Sequence, residues 1–170
     1  MPLRGERVAL RPLGAEDLAA VYGALQEPEV ARWWGVFDAG RIRAELLETP
    51  ETVAFAIDVA GSVAGVVTYS EELDPDYRRA GIDIFLAEAY QDQGYGSEAI
   101  RVLARHLFRE RGHHRLTIDP ALANERAIRA YERVGFRRVG VMREYERGAD
   151  GSWHDGLLMD LLAREFEPAN

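Results

Sequence analysis

The chain of 170 residues contains no cysteine and no lysine, and all 21 of its basic residues are arginine. Without cysteine it has no disulfides, no thiolate metal ligands and no cysteine nucleophile. Without lysine it cannot contain the Gly-Lys-Ser/Thr ending of a Walker phosphate-binding loop. No apolar run approaches the roughly 20 residues that a membrane-spanning helix needs, so we expect no membrane partner.

Charge and the remaining ligand-forming residues narrow the possible partners. The formal net charge is −8 at pH 7, which argues against nonspecific nucleic-acid binding and suits a cationic partner. The four histidines show no metal-ligand spacing with carboxylates, so no metal site is expected. The N-terminus lacks the apolar core of a signal peptide, which favours a cytoplasmic protein. A monomer and a homodimer are both compatible with the sequence.

The order of the predicted elements indicates a single mixed α/β domain covering residues 1–170. The length suits one domain, and apolar periodicity and turn residues define the elements. Helices come first, an antiparallel meander follows, and a strand–helix–strand–helix–strand unit ends the chain. The predicted elements are a strand at 8–13, helices at 14–26, 28–35 and 41–48, a hairpin at 52–70, a strand at 81–87, a helix at 97–112, a strand at 115–119, a helix at 124–134 and two long strands within 137–163.

Two glycines stand close together between a predicted strand and the helix that follows it. The segment reads Gln91-Asp92-Gln93-Gly94-Tyr95-Gly96. Paired glycines mark a backbone that turns sharply or approaches a ligand closely, and a helix N-terminus favours an anion such as a phosphate. A dinucleotide-binding fingerprint is one interpretation, because Gly94-x-Gly96-x-x-Ala99 fits its spacing and Asp119 follows about twenty residues later. That fold normally opens with this unit, whereas here the unit follows a meander.

A second motif supports a different interpretation. The pattern Asn-x-x-Ala-x-x-x-Tyr-x-x-x-Gly-Phe is matched by Asn124, Ala127, Tyr131, Gly135 and Phe136 on a predicted helix and its stop. With the Gln-x-x-Gly-x-Gly loop in its expected place before it, the sequence resembles the GNAT superfamily of acetyl-CoA-dependent N-acetyltransferases over nearly its whole length. The resemblance implies a mixed α/β fold whose central, largely antiparallel twisted sheet splays at the acetyl-CoA site between flanking helices.

The resemblance assigns the glycine loop to the pyrophosphate of acetyl-CoA, the implied cosubstrate. Backbone N–H groups of residues 93–97 and the positive end of the following helix would bind it. Asp92 lies beside this anion, so its side chain is expected to point outward. A backbone N–H near residues 85–87 is expected to stabilise the oxyanion. The implied cofactor-binding residues are Phe85, Leu86, Ala87, Gln91, Gln93, Gly94, Tyr95, Gly96, Ser97, Asn124 and Ala127.

Three side chains are expected to carry proton transfer and amine binding. In GNAT enzymes the tyrosine that matches Tyr131 usually protonates the departing thiolate, which makes Tyr131 the expected general acid. Simple packing of this ring between helix and sheet is the alternative. Asp83 and Asp119 lie on strands that lead to the site, and either could accept the amine proton, directly or through water. We expect Asp119 to be the base and Asp83 to bind an ammonium group, although an Asp-Pro pair is also common turn chemistry.

A narrower resemblance suggests which amine is acetylated. The Gly81-Ile82-Asp83 segment, residues 119–131 and the N-terminal portion with Trp33 and Trp34 look like aminoglycoside 6′-N-acetyltransferases. In that family the acidic residues bind or deprotonate the aminosugar, and the tryptophans border the cleft. We expect one tryptophan to be buried and the other to line the cleft. The C-terminal tail looks more like acetyltransferases of ribosomal-protein N-termini and small amines, which remain alternatives, as does a noncatalytic acyl-CoA-binding module.

Overall fold

A computed structural model describes residues 1–166; residues 167–170, the end of the predicted domain, lie outside the described part. The strands are β1 (Leu3–Arg4), β2 (Ala9–Pro12), β3 (Thr52–Val59), β4 (Ser62–Glu72), β5 (Arg79–Leu86), β6 (Arg115–Ile118), β7 (Arg137–Arg147) and β8 (Trp153–Leu162). The helices are α1 (Leu18–Gln26), α2 (Pro28–Trp34), α3 (Ala39–Leu46), α4 (Tyr95–Arg109) and α5 (Glu125–Val134). Short 3₁₀ turns occupy Ala15–Asp17, Glu88–Tyr90 and Ala163–Glu165.

The strands form one sheet of eight in the order β1-β2-β3-β4-β5-β6-β8-β7. Every pair is antiparallel except β5 with β6, which confirms the mixed α/β class and the largely antiparallel sheet. β5 begins at Arg79 rather than at 81, and α4 begins two residues earlier than predicted because Gly94 starts the helix directly. β1 was not predicted, since two residues are too short to show an alternating pattern. No helix among residues 1–166 is long and apolar enough to cross a bilayer.

Alternate residues of the central strands face two separate apolar cores. Ile57 and Val67 belong to the core under α4 and α5, while their neighbours Ala56 and Val66 belong to the core under α1, α2 and α3. Successive strand residues point to opposite faces, so a sheet covered on both faces has continuous apolar strands. The helices contribute Ile100, Leu103, Leu107 and Ile128 to the first core and Val21, Leu25 and Ile42 to the second.

β5 and β6 separate soon after they meet. They pair only through Ala80 with Leu116 and Gly81 with Thr117, whereas β5 pairs with β4 along its whole length. From Ile82 onward the far edge of β5 has no strand partner within the described residues. A gap therefore opens in the sheet at the point where the sequence predicts the active site.

The hairpin of β7 and β8 is irregular near this gap. The register between the two strands shifts between Met142 and Glu146, and Glu144 has a positive φ of 48°. The backbone N–H of Glu144 donates to the carboxylate of Asp155 at 2.8 Å. Bulges of this kind bend a strand and redirect the side chains that follow, and here Tyr145 and Glu146 come to face the gap.

Candidate active site

The glycine loop ends in an open helix N-terminus. Gly94 caps α4 in a left-handed conformation with φ 84°, which favours glycine over residues with a side chain. The hydrogen bond that closes the helix onto the loop runs from the Glu98 N–H to the Gly94 carbonyl at 3.0 Å. The N–H groups of Tyr95, Gly96 and Ser97 precede this bond. Together with the positive end of the helix, these N–H groups are placed where an anion would be favoured.

Side chains hold the glycine loop in place. The amide of Gln91 donates to the Leu86 carbonyl at 2.9 Å, and the amide of Gln93 donates to the Ala89 carbonyl at 2.7 Å. The guanidinium of Arg7 donates to the carbonyl of Gln93 at 3.0 Å. Gln91 of the motif and its neighbour Gln93 thus shape the loop through their side chains.

A cavity of about 410 Å³ lies between the glycine loop, α2, β5, α4 and α5, and we call it the cofactor cavity. Part of its wall is apolar, and the N-terminus of α4 forms another part. Among the predicted cofactor-binding residues, Ala87, Gln93 and Tyr95 do not line this cavity. The predicted residues that do are Phe85, Leu86, Gln91, Gly94, Gly96, Ser97, Asn124 and Ala127.

Asp92 is exposed to solvent but also lines the cofactor cavity, so its side chain is not simply turned away from the predicted pyrophosphate site. Its side chain is 71% exposed and forms an ion pair with Arg126 of α5 at 3.5 Å. Arg126 also lines the cofactor cavity. This arginine therefore offsets the charge of Asp92 and adds a cation on the side of the cavity opposite α4.

Pairing with β4 limits the backbone donors that β5 can offer to an oxyanion. The N–H of Ala87 donates to the carbonyl of Ala64 at 2.9 Å, so it is not available. Backbone groups alternate in direction along an antiparallel strand, which turns the N–H of Phe85 toward β4 as well. Leu86 is therefore the residue of the predicted three whose N–H faces the gap.

A second cavity, of about 580 Å³, adjoins the first, and we call it the acceptor cavity. It lies in the gap beside β5 and β6 and is bounded by α2 and the end of β7. Asp83, Asp119 and Glu146 line it, together with Arg147 and with Arg41 and Glu45, which form an ion pair with each other. The side chains common to both cavities are Trp33, Trp34, Ile84, Asn124 and Tyr131. Ligands in the two cavities would meet at these side chains.

Tyr131 lies at this junction and keeps its proton. Burial raises the pKa of the Tyr131 hydroxyl above its ordinary value, and the charges of Asp83 and Asp119 raise it further. The ring is half-buried and packs against Phe136, with 6.4 Å between the ring centroids. The Tyr131 side chain thus packs against the core and also borders the cleft. A neutral phenol here can donate a proton.

The surrounding protein raises the pKa of two carboxyl groups in the acceptor cavity, those of Asp83 and Glu146. Desolvation raises the pKa of Asp83 to about 6, with contributions from the charges of Asp119 and Glu146. Solvent in the open cleft still reaches the Asp83 side chain. Desolvation, followed by the charge of Asp119, also raises the pKa of Glu146. A carboxyl group with a pKa of about 6 can accept and release a proton near neutral pH.

Asp119 is held by a tyrosine that the sequence did not indicate. The hydroxyl of Tyr145 donates to Oδ2 of Asp119 at 2.6 Å. This hydrogen bond and burial raise the pKa of Tyr145 to about 12, so the phenol stays neutral. One carboxylate oxygen of Asp119 is oriented in this way, and the other accepts no hydrogen bond from the described residues. The side-chain oxygen of Asn124 is also occupied, because it accepts a hydrogen bond from the N–H of Ala127 at 3.3 Å and caps α5.

Both tryptophans at the end of α2 are half-buried, and both line the two cavities. The prediction that one would be buried is wrong. The helix ends at Trp34, so no further turn covers either ring. Trp34 packs edge-on against Phe85 with 5.0 Å between centroids, and the guanidinium of Arg32 lies 4.7 Å from the ring centroid of Trp33.

The site residues that sequence reasoning missed are Tyr145, Glu146 and Arg126. The first two depend on the bulge in β7, which the residue pattern of a long polar strand does not reveal. Arg126 lies between Asn124 and Ala127 of the recognised motif, so its position next to the motif was an available signal. Among residues 1–166, no group of three or more metal-ligating side chains is close enough to hold an ion.

Comparison with known proteins identifies the family. A family profile described as an acetyltransferase (GNAT) domain matches residues 7–137. The chain is 32% identical over 157 residues to aminoglycoside N(6′)-acetyltransferase type 1 of Klebsiella pneumoniae, which covers 81% of this chain and 77% of that protein. It is 24% identical over 165 residues to spermidine N(1)-acetyltransferase of Escherichia coli K12, which covers 94% of this chain and 88% of that protein.

A solved structure extends the likeness to the whole architecture. The structure of AAC(6′)-Ib in complex with paromomycin and acetyl-CoA matches with a TM-score of 0.78 and 25% identity, over 94% of this chain and 96% of that one. Both the profile and the 32% identical relative cover most of the chain. The chain is an N-acetyltransferase, and it belongs to the GNAT family.

Proposed function

We propose that this N-acetyltransferase transfers the acetyl group of acetyl-CoA to a cationic aminosugar, with the 6′-amine of aminoglycosides as the acceptor. The observation that carries the proposal is the acceptor cavity, in which Asp83, Asp119 and Glu146 lie beside the cofactor cavity. Carboxylates in a cleft favour a ligand with several ammonium groups. Similarity to the Klebsiella aminoglycoside N(6′)-acetyltransferase supports the choice of an aminosugar among such ligands.

Acetyl-CoA, when bound, supplies the acetyl group and a thiolate leaving group. In the proposed arrangement the N–H groups of residues 94–97 hold the pyrophosphate, and the N–H of Leu86 donates to the carbonyl oxygen of the thioester. Both interactions use backbone groups. They therefore constrain the position of the thioester without constraining which amine enters.

Side chains move the protons. Amide formation removes two protons from the ammonium nitrogen and adds one to the sulfur. Asp83 accepts a proton from the ammonium, so that a neutral nitrogen can bond to the acetyl carbon. Tyr131 gives its hydroxyl proton to the sulfur as the carbon–sulfur bond breaks, and it recovers a proton from the nitrogen or from solvent.

This division of roles reverses the one expected from the sequence, in which Asp119 was the base. The pKa of about 6 makes Asp83 the better proton acceptor near neutral pH. Asp119 is oriented by Tyr145, which suits a residue that anchors an ammonium group. Glu146 is a further anchor, and Trp33 and Trp34 form the wall between the two ligands.

A polyamine is the second candidate acceptor. The chain is similar over 94% of its length to a spermidine N(1)-acetyltransferase, and a polyamine also carries several ammonium groups. A peptide N-terminus, the alternative suggested by the C-terminal tail, offers one ammonium group and so gains less from three carboxylates.

The test compares kcat/KM for kanamycin, spermidine and a peptide that starts with alanine, measured by thiol release from acetyl-CoA. We expect kanamycin to have the highest kcat/KM, and its product to carry the acetyl group on the 6′-amine in NMR spectra. A higher value for spermidine would select the second candidate. A higher value for the peptide would contradict both polycationic acceptors.

A further inference from the structure

A third cavity, of about 560 Å³, lies on the other side of the α4 N-terminus, and we call it the arginine cavity. It shares Gly94, Ser97 and Arg133 with the cofactor cavity, so the two are continuous around the first turn of α4. The arginines that line it are Arg4, Arg7, Arg101, Arg105 and Arg133. A cluster of this kind is unexpected in a chain with a net charge of −8.

The carboxylates near the arginine cavity do not neutralise these arginines. Glu6 and Glu98 are the acidic residues that line it. Glu98 is already engaged, since it pairs with the Arg7 side chain at 3.1 Å and accepts the backbone N–H groups of Arg7 and Val8 at 2.6 and 3.1 Å. Neither Arg4 nor Arg105 has a carboxylate within 4.0 Å in the described part of the chain. An excess of positive charge is left for an anion.

The fold brings these arginines together from three parts of the chain. Ser97, Arg101 and Arg105 are spaced four residues apart, which places them in a row along one face of α4. Arg101 also donates to the carbonyl of Arg133 at 2.6 Å and so connects α4 to the end of α5. Gly5 lets the N-terminal turn approach the helix, because a Cβ there would lie 2.5 Å from Glu98 Oε1. The cavity is thus part of the packed structure.

We propose that the arginine cavity binds the 3′-phosphate of acetyl-CoA, an inference that rests on the proposed cosubstrate. The 3′-phosphate is carried by the ribose attached to the pyrophosphate, and the arginine cavity begins where the pyrophosphate site at Gly94 and Ser97 ends. A phosphate monoester carries up to two negative charges, and guanidinium groups bind its oxygens through paired hydrogen bonds. The enzyme thereby distinguishes coenzyme A esters from otherwise identical molecules that lack this phosphate.

Calorimetry with coenzyme A and 3′-dephospho-coenzyme A tests the proposal. The variant is the double substitution Arg4→Gln and Arg105→Gln, because neither side chain makes a hydrogen bond to residues 1–166 that the fold would lose. The control is Arg109→Gln, which removes one positive charge from an exposed position on the same helix. Thermal unfolding of all three proteins shows whether the fold is intact.

We expect the unmodified protein to bind coenzyme A about ten- to a hundredfold more tightly than the dephospho form, as the loss of one or two charge-assisted hydrogen bonds predicts. The double variant should lose most of this preference by weakening coenzyme A binding alone, with less than about a twofold change for the dephospho form. The control should keep the preference. Equal weakening for both ligands, or no preference in the unmodified protein, would overturn the proposal. If neither ligand binds the unmodified protein, the proposed cosubstrate itself is wrong.

Discussion

The cofactor cavity and the acceptor cavity meet at Tyr131, but the chain builds them in different ways. The cofactor side is formed mainly by the continuous segment of β5, the glycine loop and α4, with α5 and α2 as its other walls. The acceptor side draws on α2, α3, β5, β6 and the bulged end of β7. The proposed cofactor site is therefore encoded largely in short local motifs, whereas the proposed acceptor site depends on pairings between distant parts of the chain.

Because the two cavities are built from different parts of the chain, we expect mutations to affect the two proposed binding functions separately. Changes on the acceptor side should alter the use of amines and leave the affinity for acetyl-CoA nearly unchanged. Changes in the glycine loop should do the opposite. Tyr131, which borders both cavities, should affect turnover with every amine.

Asp83→Asn should have the largest effect. Removing a general base typically lowers turnover by about 10²- to 10⁴-fold, and we expect kcat with kanamycin to fall within that range. Because the pKa of Asp83 is raised to about 6, kcat of the unmodified enzyme should fall as the pH drops below about 6. The variant should lack this acidic limb. We would measure kcat against pH for both proteins, with Asp119→Asn as the matched variant. An unchanged acidic limb in Asp83→Asn would contradict the assignment of Asp83 as the base.

The same variant should not be less stable at neutral pH. The folded-state pKa of Asp83 lies above its ordinary value, so ionisation of this group opposes folding once the pH exceeds that ordinary value. The cost grows as the pH rises toward about 6 and then stays constant. Asp83→Asn should therefore unfold at a higher temperature than the unmodified protein above pH 6 and at the same temperature at low pH. A lower unfolding temperature at pH 7 would mean that the loss of activity reflects a damaged fold.

Tyr131→Phe should reduce kcat by about a hundredfold, near the lower end for loss of a general acid, because water can also protonate the sulfur. The ring still packs against Phe136, so the affinity for acetyl-CoA should hold. Calorimetry and turnover with kanamycin and with spermidine measure both quantities. A variant with unmodified turnover would leave Tyr131 as a packing residue.

Gly96→Val should weaken acetyl-CoA binding by about tenfold or more, a cost of roughly 1.4 kcal/mol. A Cβ at Gly96 would make an ordinary contact of 3.4 Å with Leu86 Cδ1, so Gly96→Ala is a control that fits the fold. The two further methyl groups of valine crowd the N–H groups at the start of α4. Once acetyl-CoA is saturating, the relative kcat/KM values of different amines should be unchanged. Equal affinity for acetyl-CoA in the valine variant and the unmodified protein would contradict the assignment of the pyrophosphate to this loop.

The sequence predicted the strand and helices around the cofactor cavity well because their signals are local. The paired glycines, the strand before them and the helix after them are neighbours in the chain, and Asn124, Ala127 and Tyr131 follow helical spacing. The structure differs from the prediction at Ala87. The N–H of Ala87 already donates to a carbonyl within the sheet, so it is not available to an oxyanion.

The acceptor side was less predictable because its geometry depends on an irregular strand pairing, the register shift between β7 and β8. No residue pattern fixes the register shift in β7 that brings Tyr145 to Asp119. Desolvation raises the pKa of Asp83, and the charges of Asp119, which directly follows β6, and of Glu146 on β7 raise it further. A sequence shows the three carboxylates but not that they influence one another.

Tyr145→Phe should have the smallest effect and tests the acceptor side most directly. The substitution keeps the ring and removes only the hydroxyl that donates to Asp119 at 2.6 Å. A net hydrogen-bond contribution of about 0.5–1.5 kcal/mol predicts a rise in KM for kanamycin of roughly two- to tenfold. Since Asp119 is proposed to anchor an ammonium group, kcat should change little and the KM of the alanine-starting peptide should change less than that of kanamycin. Tyr77→Phe, at a position 73% exposed and outside the acceptor cavity, is the control. If Tyr145→Phe changes KM equally for all amines, the hydroxyl stabilises the bulge and does not orient Asp119 toward a polycation.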